Sequence, residues 1–126
     1  MIAYVMLGTN DIARSREFYD PLMAFLGATP RSAAPDKRVA YVPTKGGPIL
    51  SVTCPYDENP AVGGNGAVAA LPVESRAKVE EAYALVLGLG ASDEGAPGIR
   101  TDNVSSFYSC YFRDPSGNKL CICCFE

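Results

Sequence analysis

The chain has 126 residues, 48% of them hydrophobic, a formal charge of −3 and no histidine. That length supports a single domain that buries an ordinary core without disulfide staples. The 11 basic residues never gather into a stripe, which argues against a nucleic-acid partner, and no stretch reaches the roughly 18 apolar residues of a membrane span.

Ile2 to Leu7 reads as a strand, after which Asn10 or Asp11 offers an N-cap. Ile12, Phe18, Tyr19, Leu22, Phe25 and Leu26 follow helical spacing, and Gly27 supplies the stop. Pro21 falls inside this run, where it removes a backbone hydrogen bond. A kink is expected there, with Asp20 and Pro21 restarting the helix as cap and first residue. Three strands follow: a weak one over 28–31, then 38–42 and 49–54, the last two divided by the Pro43 to Pro48 turn with its Gly46-Gly47 pair.

Pro55 to Asn65 carries the richest loop signal and reads as a linker between module one (1–54) and module two (66–126) of one domain. The order then recurs. Gly66 to Val73 reads as a strand and Ser75 as an N-cap. Val79, Ala82, Tyr83, Val86 and Leu87 form the stripe of a second helix ending at Gly88 or Gly90. A weak strand over 92–96 and a long loop lead to a closing hairpin, whose turn is Asp114-Pro115-Ser116-Gly117-Asn118. Each half is therefore strand, helix and three strands. One helix covers only one face of its sheet, so two such curved sheets would enclose a cavity lined by alternate strand residues.

The ordered set of Tyr4 to Asp11, Arg16-Glu17-Phe18-Tyr19, Gly95 to Arg100 and Asp114 to Asn118 resembles the glyoxalase, bleomycin-resistance and extradiol-dioxygenase superfamily, the vicinal oxygen chelate proteins, over nearly the whole chain. The resemblance implies an α+β fold of two βαβββ modules forming an open, curved, eight-stranded barrel-like sheet with a central cavity, usually in a homodimer. It also implies divalent-metal ligands, His, Gln or Glu, on inward strand positions of the metal-dependent members. Carried over by offset, those positions fall on Tyr4, Val68 and Cys121. Val68 cannot bind a metal, Tyr4 binds only when deprotonated, and Cys121 alone is a good ligand, so no family-type metal and no cofactor are expected.

Alternation puts Tyr4 and Met6 on the cavity side of the first strand, with Val5 and Leu7 beneath the helix. By the same count Val68 and Ala70 line one wall and Cys121, Cys123 and Phe125 another. Such an apolar wall with a few polar tips suits a small-molecule pocket and equally a filled core. Tyr41, Tyr108 and Tyr111 can present rings to a ligand or pack. Arg100, after a Pro-Gly turn, can close the cavity mouth on an anionic ligand or stand solvated.

Five cysteines, three of them crowded at the C-terminus, fit a reducing compartment, and no signal peptide is visible, so a cytoplasmic protein is expected. Cys121 and Cys123 share one strand face and Cys124 takes the other. Each can be buried core, a ligand-contacting or reactive thiol, or a metal thiolate. No Ser/His/Asp or Cys/His arrangement exists without histidine, and no phosphate-binding glycine loop appears. Two functions follow: a metal-free binding protein for a small organic ligand, or a lyase or dioxygenase using a non-standard metal site or Tyr4 or Cys121.

Overall fold

Both helices begin where a short polar side chain precedes an amphipathic run. Asp11 and Ser75, in extended backbone, accept hydrogen bonds from the Arg14 and Lys78 amides and open α1 (Ile12–Phe25) and α2 (Arg76–Gly88). Of the two candidate caps before α1, Asp11 is the one used. Gly27 and Gly90 follow the helix ends with φ of 84° and 98°, a region that glycine enters without the steric cost of a Cβ.

The expected restart at Pro21 does not occur: α1 runs through it unbroken. Pro21 lies on the exposed face, as does Glu17, whose carbonyl loses its helical partner there. Water can therefore take the place of the missing N–H.

The computed structural model describes residues 1–100 and 106–125. The helices alternate with β1 (Tyr4–Gly8), β2 (Ala28–Arg31), β3 (Arg38–Pro43), β4 (Ile49–Thr53), β5 (Ala69–Pro72), β6 (Ser92–Ile99), β7 (Phe107–Arg113) and β8 (Lys119–Phe125). Two four-stranded sheets result, ordered β1-β4-β3-β2 and β5-β8-β7-β6. In each, the first strand pairs parallel with the last and the remaining pairs are antiparallel. This is the α+β arrangement of two βαβββ modules, with the sheets open rather than closed.

Three strands depart from expectation by two residues or more, β1 by starting at Tyr4 rather than Ile2. Residues 66–68 stay outside β5, since Gly66 turns at φ 92°. β6 continues to Ile99 because two irregularities in register, between Asp93 and Gly95 and between Gly95 and Gly98, absorb residues that read as loop. Of the expected long loop, residues 101–105 lie outside the described residues.

Alternation divides each sheet into a helix-side face and an inner face. Val39, Tyr41, Leu50 and Val52 pack beneath Phe18, Tyr19 and Leu22 of α1. Cys110, Phe112, Leu120, Ile122 and Cys124 pack beneath Val79, Ala82 and Val86 of α2. Phe18 joins the two halves, standing edge-on to Tyr19 at 5.0 Å and 6.2 Å from Phe112.

Polar contacts lock the modules in register. The buried Asp114 carboxylate accepts from the Ser116 and Asn118 amides, each at 2.9 Å, from Asn118 Nδ2 at 2.9 Å and from the Tyr19 hydroxyl. Asn118 Nδ2 also donates to the Gly8 carbonyl at 2.8 Å. Burial first, and then Asp114, push the Tyr19 phenol well above its ordinary pKa, so it remains a donor. Asp114→Ala should therefore leave the Tyr19 hydroxyl and two turn amides unsatisfied, lowering stability by about 3 kcal/mol or more in urea unfolding. A loss below about 1 kcal/mol would show that the network is dispensable.

Candidate functional site

The inner faces are where side chains are free to meet a ligand. In module one, Met6, Ser51 and Ala40 are neighbours across β1, β4 and β3. In module two, cross-strand register sets Ala70, Cys121, Tyr111 and Gly95 in one row. Pro72, Cys123, Ser109 and Gly98 form the next.

The irregular β6 returns Arg100 to this inner face, its amide bonding the Phe107 carbonyl at 3.3 Å. The guanidinium lies over the Tyr111 ring at 4.7 Å, and Nε donates to Ser109 Oγ at 3.4 Å. It fits because position 95 is glycine, with φ 155°: an added Cβ would stand 2.7 Å from Nη2. Nη2 is buried and has no hydrogen-bond partner among the described residues. Lys119 Nζ approaches the same ring at 5.4 Å. Neither cation is in an ion pair among the described residues, where Arg113 pairs with Glu94 instead. A buried N–H without an acceptor is costly, and among the described residues Arg100 Nη2 is such a donor.

Module one carries a cleft of about 850 Å³ lined by Met6, Thr9, Asn10, Lys37, Arg38, Thr53 and the 54–60 segment. Its wall is a pinned linker. Asn10 donates to the Ala61 carbonyl at 3.0 Å and accepts from its amide at 2.7 Å, as a strand neighbour would. Thr9 Oγ1, buried, lies 2.6 Å from Ser15 Oγ and 3.2 Å from Ser116 Oγ. Glu58 takes φ 65°, the only positive value at a non-glycine among the described residues, with its amide bonded to the Pro55 carbonyl.

The thiols divide by face. Cys110 and Cys124 belong to the helix-side core, where burial raises the Cys110 thiol to about 11. On the inner face, the hydrogen bond from Cys121 to Cys123 lowers Cys123, while that bond and burial raise Cys121. Burial, then Cys121, raises the Tyr111 phenol.

The residues expected to meet a ligand are thus sorted. Tyr4, Met6, Ala70, Arg100, Tyr111, Cys121 and Cys123 stand on inner faces, and Val68 is exposed just before β5. Tyr41 and Tyr108 stand on the other side of their sheets. Tyr41 is fully buried and donates to Asp20 Oδ1 at 2.6 Å, while Tyr108 donates to Glu80 of α2 at 2.8 Å under Arg76. The expectation that these two rings face the cavity is therefore corrected: each is one residue out of phase with it. Ser109, Lys119 and the cleft residues other than Met6 were not among the expected site residues, nor was Gly95 expected to make room for Arg100. Lys119 shares the alternation of Cys121 and was readable, whereas the register shifts that set Gly95 beneath Arg100 were not.

The positions carried over from metal-dependent members do not fit a divalent ion. Tyr4 is exposed, Val68 has no donor atom, and Cys121 is a buried thiol far from the hard oxygen and nitrogen donors such an ion prefers. Among the described residues no group of three or more His, Cys, Asp or Glu side chains could hold a metal.

Paired βαβββ modules with open inner faces define the class of fold to which this chain belongs. The family model described as Glyoxalase/Bleomycin resistance protein/Dioxygenase superfamily matches residues 1–122, and the chain belongs to that superfamily. It is similar to a glyoxalase/bleomycin resistance protein from Albidiferax ferrireducens T118, with 30% identity, 98% of each chain covered and a TM-score of 0.85. A glyoxalase-related enzyme from Fulvimarina pelagi shares the fold at 19% identity, covering 98% of this chain and 87% of that one, with a TM-score of 0.75. So does a lactoylglutathione lyase from Agrobacterium tumefaciens at 19% identity, 98% and 92% coverage and a TM-score of 0.70. No curated protein matches the chain.

The linker's close seat on module two gives a test of the cleft wall. At Gly63 an added Cβ would stand within 2.9 Å of two backbone atoms of Gly117. Gly63→Ala should therefore lower stability by about 1–3 kcal/mol, read by urea unfolding. An unchanged midpoint would mean that the linker moves aside freely.

Proposed function

We propose that this protein binds a small organic anion, such as a carboxylate, on its inner sheet faces and that it does so without the family's divalent metal. The observation that carries the reading is Arg100, whose guanidinium is held by Tyr111 and Ser109 with a buried Nη2 that has no acceptor among the described residues. A carboxylate satisfies that donor and neutralises the charge, and its apolar body would lie against the walls that strand alternation supplies. Thiol catalysis gains less support, because Cys121 and Cys123 are both buried.

A homodimer completes the same reading. Tyr4, Met6 and Phe125 are 59%, 52% and 67% exposed on inner faces, and a second copy laid over them would remove that apolar surface from water and enclose the ligand between modules. No helix among the described residues is long and apolar enough to cross a membrane. The five free cysteines suit the cytoplasm that this reading assigns.

The test is a thermal-shift screen of small carboxylic acids, followed by calorimetric titration of the best binder. Arg100→Ala should weaken that binder by roughly tenfold to a hundredfold, and Cys121→Ser by less than about tenfold. A screen without binders, or equal affinity in Arg100→Ala, would sink the proposal. The assembly is checked separately by sedimentation: Met6→Lys should shift the wild-type dimer toward monomer, and a wild-type chain that sediments as a monomer at tens of micromolar would remove the second copy.

A further inference from the structure

Two thiols on the inner face of module two have no part in the anion site. Cys121 and Cys123 lie two residues apart on β8, both free, with exposures of 1% and 3%. Ala70 and Pro72 of β5 flank them on one side and Tyr111 and Ser109 of β7 on the other. Cys110 and Cys124 face α2 instead, and Cys54 lines the module-one cleft.

The pair is poorly placed for a disulfide. A strand rise of about 3.3–3.4 Å per residue sets Cα atoms at i and i+2 about 6.7 Å apart with parallel Cβ directions. A disulfide holds its Cβ atoms near about 3.8 Å. An ion bridging the two sulfurs suits the longer gap. Exposures of 1% and 3% also favour a single small ion over a bulky organic electrophile at these sulfurs. Zinc asks for four ligands, and no third ligating group stands with these two among the described residues.

We propose that Cys121 and Cys123 form a two-thiolate site for a soft d10 cation that accepts two ligands, Cu(I) being the ion that tests it. Thiolate softness selects such an ion over the hard divalent metals. Binding breaks two S–H bonds, forms two Cu–S bonds and releases two protons to solvent, with no change in oxidation state. The resulting site carries one negative charge. Lys119 and Arg100, both over the ring of Tyr111, the cross-strand neighbour of Cys121, supply positive charge to offset it.

The experiment is anaerobic titration of the full chain with Cu(I) against a chromophoric Cu(I) chelator. Cys121→Ser and Cys123→Ser are compared with Cys54→Ser, each variant checked for fold by circular dichroism. The wild type should take one Cu(I) per chain. Each inner-face variant should weaken binding by more than the roughly 100-fold that losing a merely supporting hydrogen bond costs, and Cys54→Ser should leave it unchanged. Failure to compete with the chelator, or wild-type affinity in Cys121→Ser or Cys123→Ser, overturns the assignment. Should both variants misfold, X-ray absorption of the copper-loaded wild type decides: two sulfurs around copper support the site, and three or more overturn it.

Discussion

Everything the inner faces can do depends on one buried carboxylate. Asp114 closes the β7–β8 turn by taking two of its amides, and the same group receives the Tyr19 hydroxyl from the other module's helix. Turn chemistry and the joining of the two halves are thus one event. The Asn118 amide extends the network to Gly8 at the end of β1, so the first and last strands of the fold are tied through a single side chain. With that junction fixed, each helix is committed to its own sheet, and the opposite faces are left to be lined by whatever the alternation places there.

The two inner faces then diverge in chemistry although their strand orders match. Module one offers Met6 beside small side chains and a cleft walled by a linker that Asn10 holds like a neighbouring strand. Module two offers a cation laid on an aromatic ring and a pair of thiols. Gly95 makes the first of these possible: only a residue without a Cβ leaves room for the guanidinium at that distance from the backbone. The same superfamily frame therefore carries two different surfaces, one roomy and one cationic.

Much of the frame was legible before the structure because its signals are local. Both helix caps, the strand alternation of β1 and β8 and the closing turn each follow from residues within a few positions of one another. The phase of β3 and the first half of β7 was less legible. Tyr41 and Tyr108 fall on the helix side with their hairpin partners Leu50 and Cys124, a phase that the aromatic character of the rings does not reveal. Arg100 drew attention by its setting after a Pro-Gly turn, but its shelf was hidden, since β6 reaches it only by departing from regular pairing. Pro21 misled for the opposite reason. A local rule predicted a break, and the solvent-facing position of the freed carbonyl removed the need for one.

The departures in β6 bear on how this chain tolerates insertions and deletions. From Asp93 to Ile99 the strand advances six residues while its partner runs only from Phe112 to Tyr108, so two residues are taken up without pairing. An odd number would turn every later side chain to the opposite face, carrying Arg100 into the helix-side core, and an even number restores the phase. The Gly95-Ala96-Pro97-Gly98 stretch thus looks like a loop open to length variation, yet it should tolerate residues gained or lost in pairs and resist single ones.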